Sequence, residues 1–244
     1  MSKFLLCILF ITNLFTVNGW GYKKNETHTT PDIGKYYEII KDTKSYYVGN
    51  TNEKIIYLTF DVGYDNGNLE PILETLANYN VKATFFITGD FVKRFPLLVT
   101  KLSLSDHLVA SHSYDHLNIT KVSKERLKED LDKLKSTYSS LTNKELSNYF
   151  RPPEGCFTKD SLLYVNSLGY KNIFWSVAWV DWNPNKQLGK EYSYNSYVNN
   201  LHNGAIVLMH TVSSSNKEAL PSIIEYSLNN GYHFETVDKI KELY

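Results

Sequence analysis

The chain has 244 residues, 42% of them hydrophobic, with 26 basic and 26 acidic side chains and a formal net charge of zero. That length buries a large core and fits one α/β domain as well as two small ones, with no composition break to divide it. The balanced charge builds no positive field for nucleic acid or an anionic membrane surface, so any polyanion would have to find a local patch.

In chain order, residues 1–19 read as a cleaved signal peptide. Lys3 forms a short positive start, Phe4 to Val17 is mostly apolar, and Val17-Asn18-Gly19 offers compact residues before a cut. At ~1.5 Å rise per residue the stretch is shorter than a ~30 Å bilayer core requires. An uncleaved anchor is the second reading, and only then is the membrane a partner. Cys7 leaves with the signal, so Cys156 stands alone, no intramolecular disulfide forms in the mature chain, and a packing role is preferred for it. Residues 20–52 are polar, then Tyr-rich, and read as an extended arm or linker available to dock on the domain that follows.

Residues 53–244 form that domain. Apolar runs at Ile55–Phe60, Ala83–Thr88, His107–His112, Asn148–Arg151, Asn172–Val177, Ala205–His210 and His233–Val237 are dense in Ile, Val, Phe and Tyr, as strands buried on both faces are. Between them, Asn68 predicts the cap of a helix carrying Ile72, Leu73 and Leu76. Ser123 predicts the cap of another whose stripe is Leu127, Leu131, Leu134 and Tyr138. Gly169 and Gly231 follow helical runs where a left-handed residue is needed. The alternation predicts an α/β fold with a parallel sheet, and about seven repeats argue for a small or distorted (β/α) barrel rather than a full eight-fold one.

The reactive side chains gather at predicted strand ends. Asp61 follows the first strand, His112 and His116 the third, and Arg151 the fourth; Asp181 lies beyond the fifth and His210 ends the sixth. Taken singly, each has a structural explanation: a turn aspartate, a hydrogen-bonded histidine, an arginine closing a strand before Pro152 and Pro153. In a parallel α/β barrel, however, strand C-termini point to one face, where the active site is built. Six such residues converging there favours a catalytic site.

They also fall into words. Leu58-Thr59-Phe60-Asp61-Val62-Gly63, Ser111-His112-Ser113-Tyr114-Asp115-His116, Arg151-Pro152-Pro153-Glu154-Gly155, Asp181-Trp182 and Leu208-Met209-His210-Thr211 occur in that order. This series resembles the five motifs of the NodB-homology polysaccharide deacetylases, carbohydrate esterase family four, over roughly residues 45 to 240. Tyr47-Val48-Gly49-Asn50, Phe174-Trp175-Ser176-Val177-Ala178 and His210-Thr211-Val212-Ser213 look most like the delta-lactam-biosynthetic de-N-acetylases of spore-forming bacteria.

The resemblance implies a NodB-like fold and hydrolysis of the N-acetyl group of N-acetylmuramic acid in peptidoglycan, leading to muramic delta-lactam in the spore cortex. It implies Asp61 as general base and His210 as general acid, with Arg151 orienting Asp61 and Asp181 holding His210. His112 and His116 are implied as ligands of a divalent metal, zinc foremost, with cobalt, nickel or iron also suited to imidazole. Most of the family supplies a further Asp directly after the catalytic one; here that position is Val62, so weak metal binding is expected, by two histidines and water or with Asp65 as a candidate third ligand. The lactam-forming subgroup also tends to lack that Asp.

Trp182, beside a motif Asp, is the candidate platform for a sugar ring, and Arg151 is the one cation assigned to substrate. The expected partners are peptidoglycan glycan strands, after an amidase has removed their peptides, and the expected location is the cell wall, the extracellular space or the forespore intermembrane space. The alternatives are an N-acetylglucosamine deacetylase of peptidoglycan or chitin oligomers and, outside enzymes, an inactive glycan-binding module that Val62 would favour.

Overall fold

The computed structural model describes residues 18–240, so the signal call falls, up to Val17, outside the described residues. At the centre is an eight-stranded parallel sheet. Its spine is Ile55–Val62, every residue of which is buried. It pairs with Thr84–Ile87 and His233–Phe234, and with Ala205–His210. From Thr84–Ile87 the sheet continues through Leu108–Ser111, Tyr149–Phe150, Lys171–Ile173 and Ser45–Tyr46.

The far end of this sheet curls back on its beginning. A parallel bridge joins Val177 to Val207, and Leu208 N–H donates to Val177 O at 2.9 Å. The result is the distorted (β/α) barrel that the repeat pattern implied. Strands of this kind read as continuous apolar runs because both faces are covered, inside by the barrel core and outside by helices.

All seven predicted strands are present, several of them shorter. The ladders stop at Ile87, Ser111, Phe150 and Ile173, so Thr88, His112 and Arg151 lie just past strand ends. The eighth strand, Ser45–Tyr46, comes from the stretch read as arm and pairs in parallel with Asn172 and Ile173. Asn18–Gly19, the last residues of the stretch read as signal, pair antiparallel with Cys156–Phe157, and the arm itself docks through Trp20 N–H on Gly155 O and the Tyr22 hydroxyl on Ala178 N–H.

The helices that wrap the sheet follow the sequence punctuation with one correction. Ser123 Oγ accepts from Arg126 N–H at the start of Lys124–Thr142, whose Leu127, Leu131, Leu134 and Tyr138 are buried. Each such leucine contributes ~1.5–3 kcal/mol on burial, and Leu131→Ala would cost ~2–5 kcal/mol. Gly169 and Gly231 take φ of +90° and +77°, as their cap positions required. Asn68, by contrast, makes no side-chain cap bond on Leu69–Asn78. Its amide donates instead to Asn66 Oδ1 and Val212 O, and Asp65 Oδ1 accepts from Leu69 N–H at 3.0 Å.

Candidate active site

The barrel register brings the first and last predicted catalytic residues together. Asp61 and His210 are partners on adjacent parallel strands, at the C-terminal ends of Ile55–Val62 and Ala205–His210. His112 and His116 arrive from the loop after Leu108–Ser111, Arg151 follows Tyr149–Phe150, and Asp181 lies in the long connection before Lys190–Val198. Asp61, His112, His116 and His210 all line one cavity of about 610 Å³, the size of a small-ligand site.

Each half of the site has its own partner. Arg151 Nη1 donates to Asp61 Oδ1 at 2.7 Å, while Nη2 donates to Thr59 Oγ1 at 2.8 Å and Nε to Ile173 O at 3.3 Å. The guanidinium also lies 4.1 Å from the centre of the Phe86 ring. Burial opposes ionisation of Asp61, but the charge and hydrogen bond of Arg151, with the charge of His210, hold its carboxyl below the usual value. Arg151 is fully buried with its donors turned inward, so the expectation that it also contacts substrate is corrected. Its position suits a residue that orients Asp61.

On the other side, Asp181 Oδ1 lies 2.7 Å from His210 Nδ1, and Asp181 Oδ2 accepts the His210 backbone N–H at 2.8 Å. Burial works against the imidazolium, yet the charge and hydrogen bond of Asp181, with a contribution from Asp61, raise the His210 pKa above 6.5. The site therefore favours a carboxylate at Asp61 and an imidazolium at His210. That is the opposite-protonation pair that acid–base catalysis requires.

His112 is arranged differently. Its Nδ1 lies 2.9 Å from Arg151 O, which fixes the proton there and leaves the Nε2 lone pair facing Asp61 Oδ2 at 3.5 Å. Burial pushes its pKa down to about 4, so the ring is neutral, the form that binds a metal. The His116 ring stands 4.9 Å away, centre to centre, at 75°. These two imidazoles fit a metal. A third side chain does not join them: Val62 is buried in the apolar core, and Asp65 is engaged at its helix N-terminus and is not part of the cavity wall. The candidate third ligand Asp65 is corrected accordingly; among the described residues no group of three His, Cys, Asp or Glu side chains gathers closely enough to hold an ion.

Trp182 lines the cavity, is 56% exposed and stands 6.4 Å from the His210 ring. A flat apolar face beside His210 is what a sugar ring would stack on. Trp175 and Trp179 share the wall, but Trp179 is buried and its indole donates to Asn216 Oδ1 at 3.1 Å. Cys156 makes a long contact to Glu154, and burial raises its thiol pKa, away from a nucleophile's requirement.

Two residues that sequence reasoning missed organise the site. Asn216 Nδ2 donates to Asp181 Oδ2 at 2.6 Å, while its Oδ1 also accepts from Ser193 Oγ at 2.9 Å. Nothing in its local pattern marks it out. Asp130, fully buried, accepts from Ser113 Oγ, Tyr114 N–H and Asp115 N–H at 2.7, 2.7 and 2.9 Å, tying down the loop between His112 and His116. It carried a signal: an acid on the apolar stripe, three residues after Leu127 and one before Leu131.

Comparison with known proteins gives the family of the chain. The polysaccharide deacetylase family model matches residues 48–173. The chain is 40% identical over 222 residues to the Bacillus subtilis peptidoglycan-N-acetylmuramic acid deacetylase PdaA, covering 91% of this chain and 84% of that one. The solved structure of Bacillus subtilis PdaA, a family 4 carbohydrate esterase, superposes with a TM-score of 0.89 over 92% of this chain and 96% of that chain. A family 4 carbohydrate esterase from Bacillus anthracis is 33% identical, with a TM-score of 0.77 over 92% and 96% of the two chains. A Bacillus cereus peptidoglycan-N-acetylglucosamine deacetylase is 33% identical over 197 residues, 78% of this chain and 89% of that one. The chain belongs to the polysaccharide deacetylase family, hydrolases of the N-acetyl amide bond that are in general metal-dependent.

Proposed function

We propose that this chain hydrolyses the N-acetyl group of N-acetylmuramic acid in peptidoglycan glycan strands, a step leading to muramic delta-lactam in the spore cortex. The observation that carries the proposal is the in-register pair Asp61 and His210, each held by a partner of opposite charge. The 40% identity to PdaA over most of both chains supports muramic acid as the target.

In this reading Asp61 takes a proton from the attacking water while Arg151 keeps the carboxylate oriented and ionised. His210 delivers a proton to the amide nitrogen as the C–N bond breaks, leaving acetate and a free amine, and Asp181 holds the imidazole for that transfer. A divalent ion, zinc foremost, held by His112 and His116, would polarise the acetyl carbonyl and acidify the water. With Val62 and Asp65 both outside the ligand set, its binding is weak and exchangeable. Trp182 stacks on the sugar.

The strands would reach the site after an amidase has cleared their peptides. The chain would act outside the cytoplasmic membrane, exported by the leader at residues 1–19, in the cell wall or the forespore intermembrane space. Among the described residues no helix is long and apolar enough to cross a membrane.

One observation favours N-acetylglucosamine instead. Among the described residues no lysine or arginine lines the cavity to receive a lactyl carboxylate. Amino-sugar analysis of peptide-free and intact peptidoglycan after treatment separates the two. De-N-acetylated muramic acid appearing on the peptide-free strands supports the proposal; glucosamine alone, on either substrate, contradicts it.

A further inference from the structure

We propose that Trp20 and Tyr22, which lie outside the matched family region, form a strap that builds one wall of the cavity and sets its grip on the glycan. The proposal rests on the deacetylase reading of that cavity. Three of its lining residues, Gly155, Trp175 and Ala178, are held through their backbones by these two side chains and by the Trp20 main chain. Trp20 N–H donates to Gly155 O at 2.8 Å and its indole Nε1–H donates to Trp175 O at 2.9 Å. Ala178 N–H donates to the Tyr22 hydroxyl at 2.7 Å.

The strap is fastened well beyond those bonds. The Trp20 ring stacks on Phe174 with centres 4.4 Å apart and planes at 20°, and also touches Tyr36 and Tyr47. Asn18–Gly19 adds a short antiparallel pairing with Cys156–Phe157, and the Tyr36 hydroxyl donates to Gly19 O at 2.6 Å. Gly155, with a φ of +62°, is where the pieces interlock. A Cβ there would meet the Trp175 ring at 2.9 Å and Trp20 Cβ at 3.0 Å, so the loop after Arg151, the Trp175 wall and the strap fit only with glycine at that point.

The pattern points to substrate affinity rather than to the reaction step. The strap's bonds go to wall residues, none to Asp61, His112, His116 or His210, so the proton-transfer groups keep their own partners without it. A wall residue that moves alters binding of substrate and transition state alike, which raises KM and leaves kcat in place. A leader cut after Gly19 removes the Asn18–Gly19 pairing and the Tyr36 bond but retains Trp20 and Tyr22 with their bonds to Gly155, Trp175 and Ala178.

The test uses the full-length chain with Tyr22→Phe, which removes only the hydroxyl that receives the Ala178 N–H, and Trp20→Phe, which keeps a stacking ring but loses the indole donor. Steady-state acetate release from a soluble peptide-free glycan is measured beside zinc affinity and thermal unfolding. The expected result is a KM raised about 3- to 10-fold in each variant, with kcat within about twofold and zinc affinity as in the unsubstituted chain. An unchanged KM in Tyr22→Phe overturns the proposal, as does a fall in kcat in both variants that follows the loss of folded protein. Acetate release by the unsubstituted chain in the same assay is the separate check on the deacetylase reading.

Discussion

Asp61 and His210 face each other in register across two adjacent parallel strands, yet each takes its hydrogen-bonded partner from a different segment, Arg151 for the acid and Asp181 for the imidazole. Two groups that would otherwise neutralise one another are thereby kept apart in role. Asp61→Asn leaves the shape and removes the proposed base, so kcat is expected to fall ~10²–10⁴-fold. Acetate release checks this, with circular dichroism to establish that the variant is folded.

The His210 pKa, raised above 6.5 by Asp181, moves the alkaline limb of the rate profile up from the ordinary histidine value. An acid must be protonated to act, so kcat falls as pH rises through that value. Replacing Asp181 with Asn removes the anion, lowers kcat and shifts the limb to lower pH. The same raised pKa contributes stability that is complete below the unfolded value of ~6.5 and is lost as pH rises through the folded one. A kcat–pH profile of both proteins tests the assignment; coincident alkaline limbs would reject it.

Arg151 sits in a fully buried fork of fixed directions, bonded to Asp61, Thr59 and Ile173. Lysine has the charge without the fork, so Arg151→Lys leaves buried acceptors unpaired. Its expected cost is ~1–3 kcal/mol of stability for each unsatisfied group, together with a large loss of kcat. Denaturant unfolding and initial rates measure the two effects separately.

Chelation is expected to abolish activity and zinc readdition to restore it. His112→Ala and His116→Ala should each remove zinc binding in a titration, because among the described residues no third side chain stands by to compensate. Asp130→Asn acts on the same site indirectly. By weakening the anchor of the loop between the two histidines, it should lower zinc affinity while leaving both imidazoles in place.

The barrel was legible because its strands are continuous apolar runs and its helices carry clear stripes and caps. The site was legible because its chemistry sits at strand ends. What escaped the sequence depends on contacts between distant segments. Ser45–Tyr46 is only two residues long and becomes a strand by pairing with Asn172 and Ile173. Asn216 is one polar residue among several, and only the fold puts its amide against Asp181. Asp65 and Arg151 were read by residue type: the first uses its carboxylate on Leu69 N–H, and the second turns every donor inward.

The most direct test of the account is acetate release from peptide-free glycan containing N-acetylmuramic acid, comparing the intact chain with Asp61→Asn, before chelation, after it and after zinc readdition. The account predicts release by the intact chain, its loss on chelation, its return with zinc, and little or none from Asp61→Asn under any condition. No release from this glycan or from N-acetylglucosamine oligomers, with glycan binding retained, would contradict it and make the protein an inactive glycan-binding module.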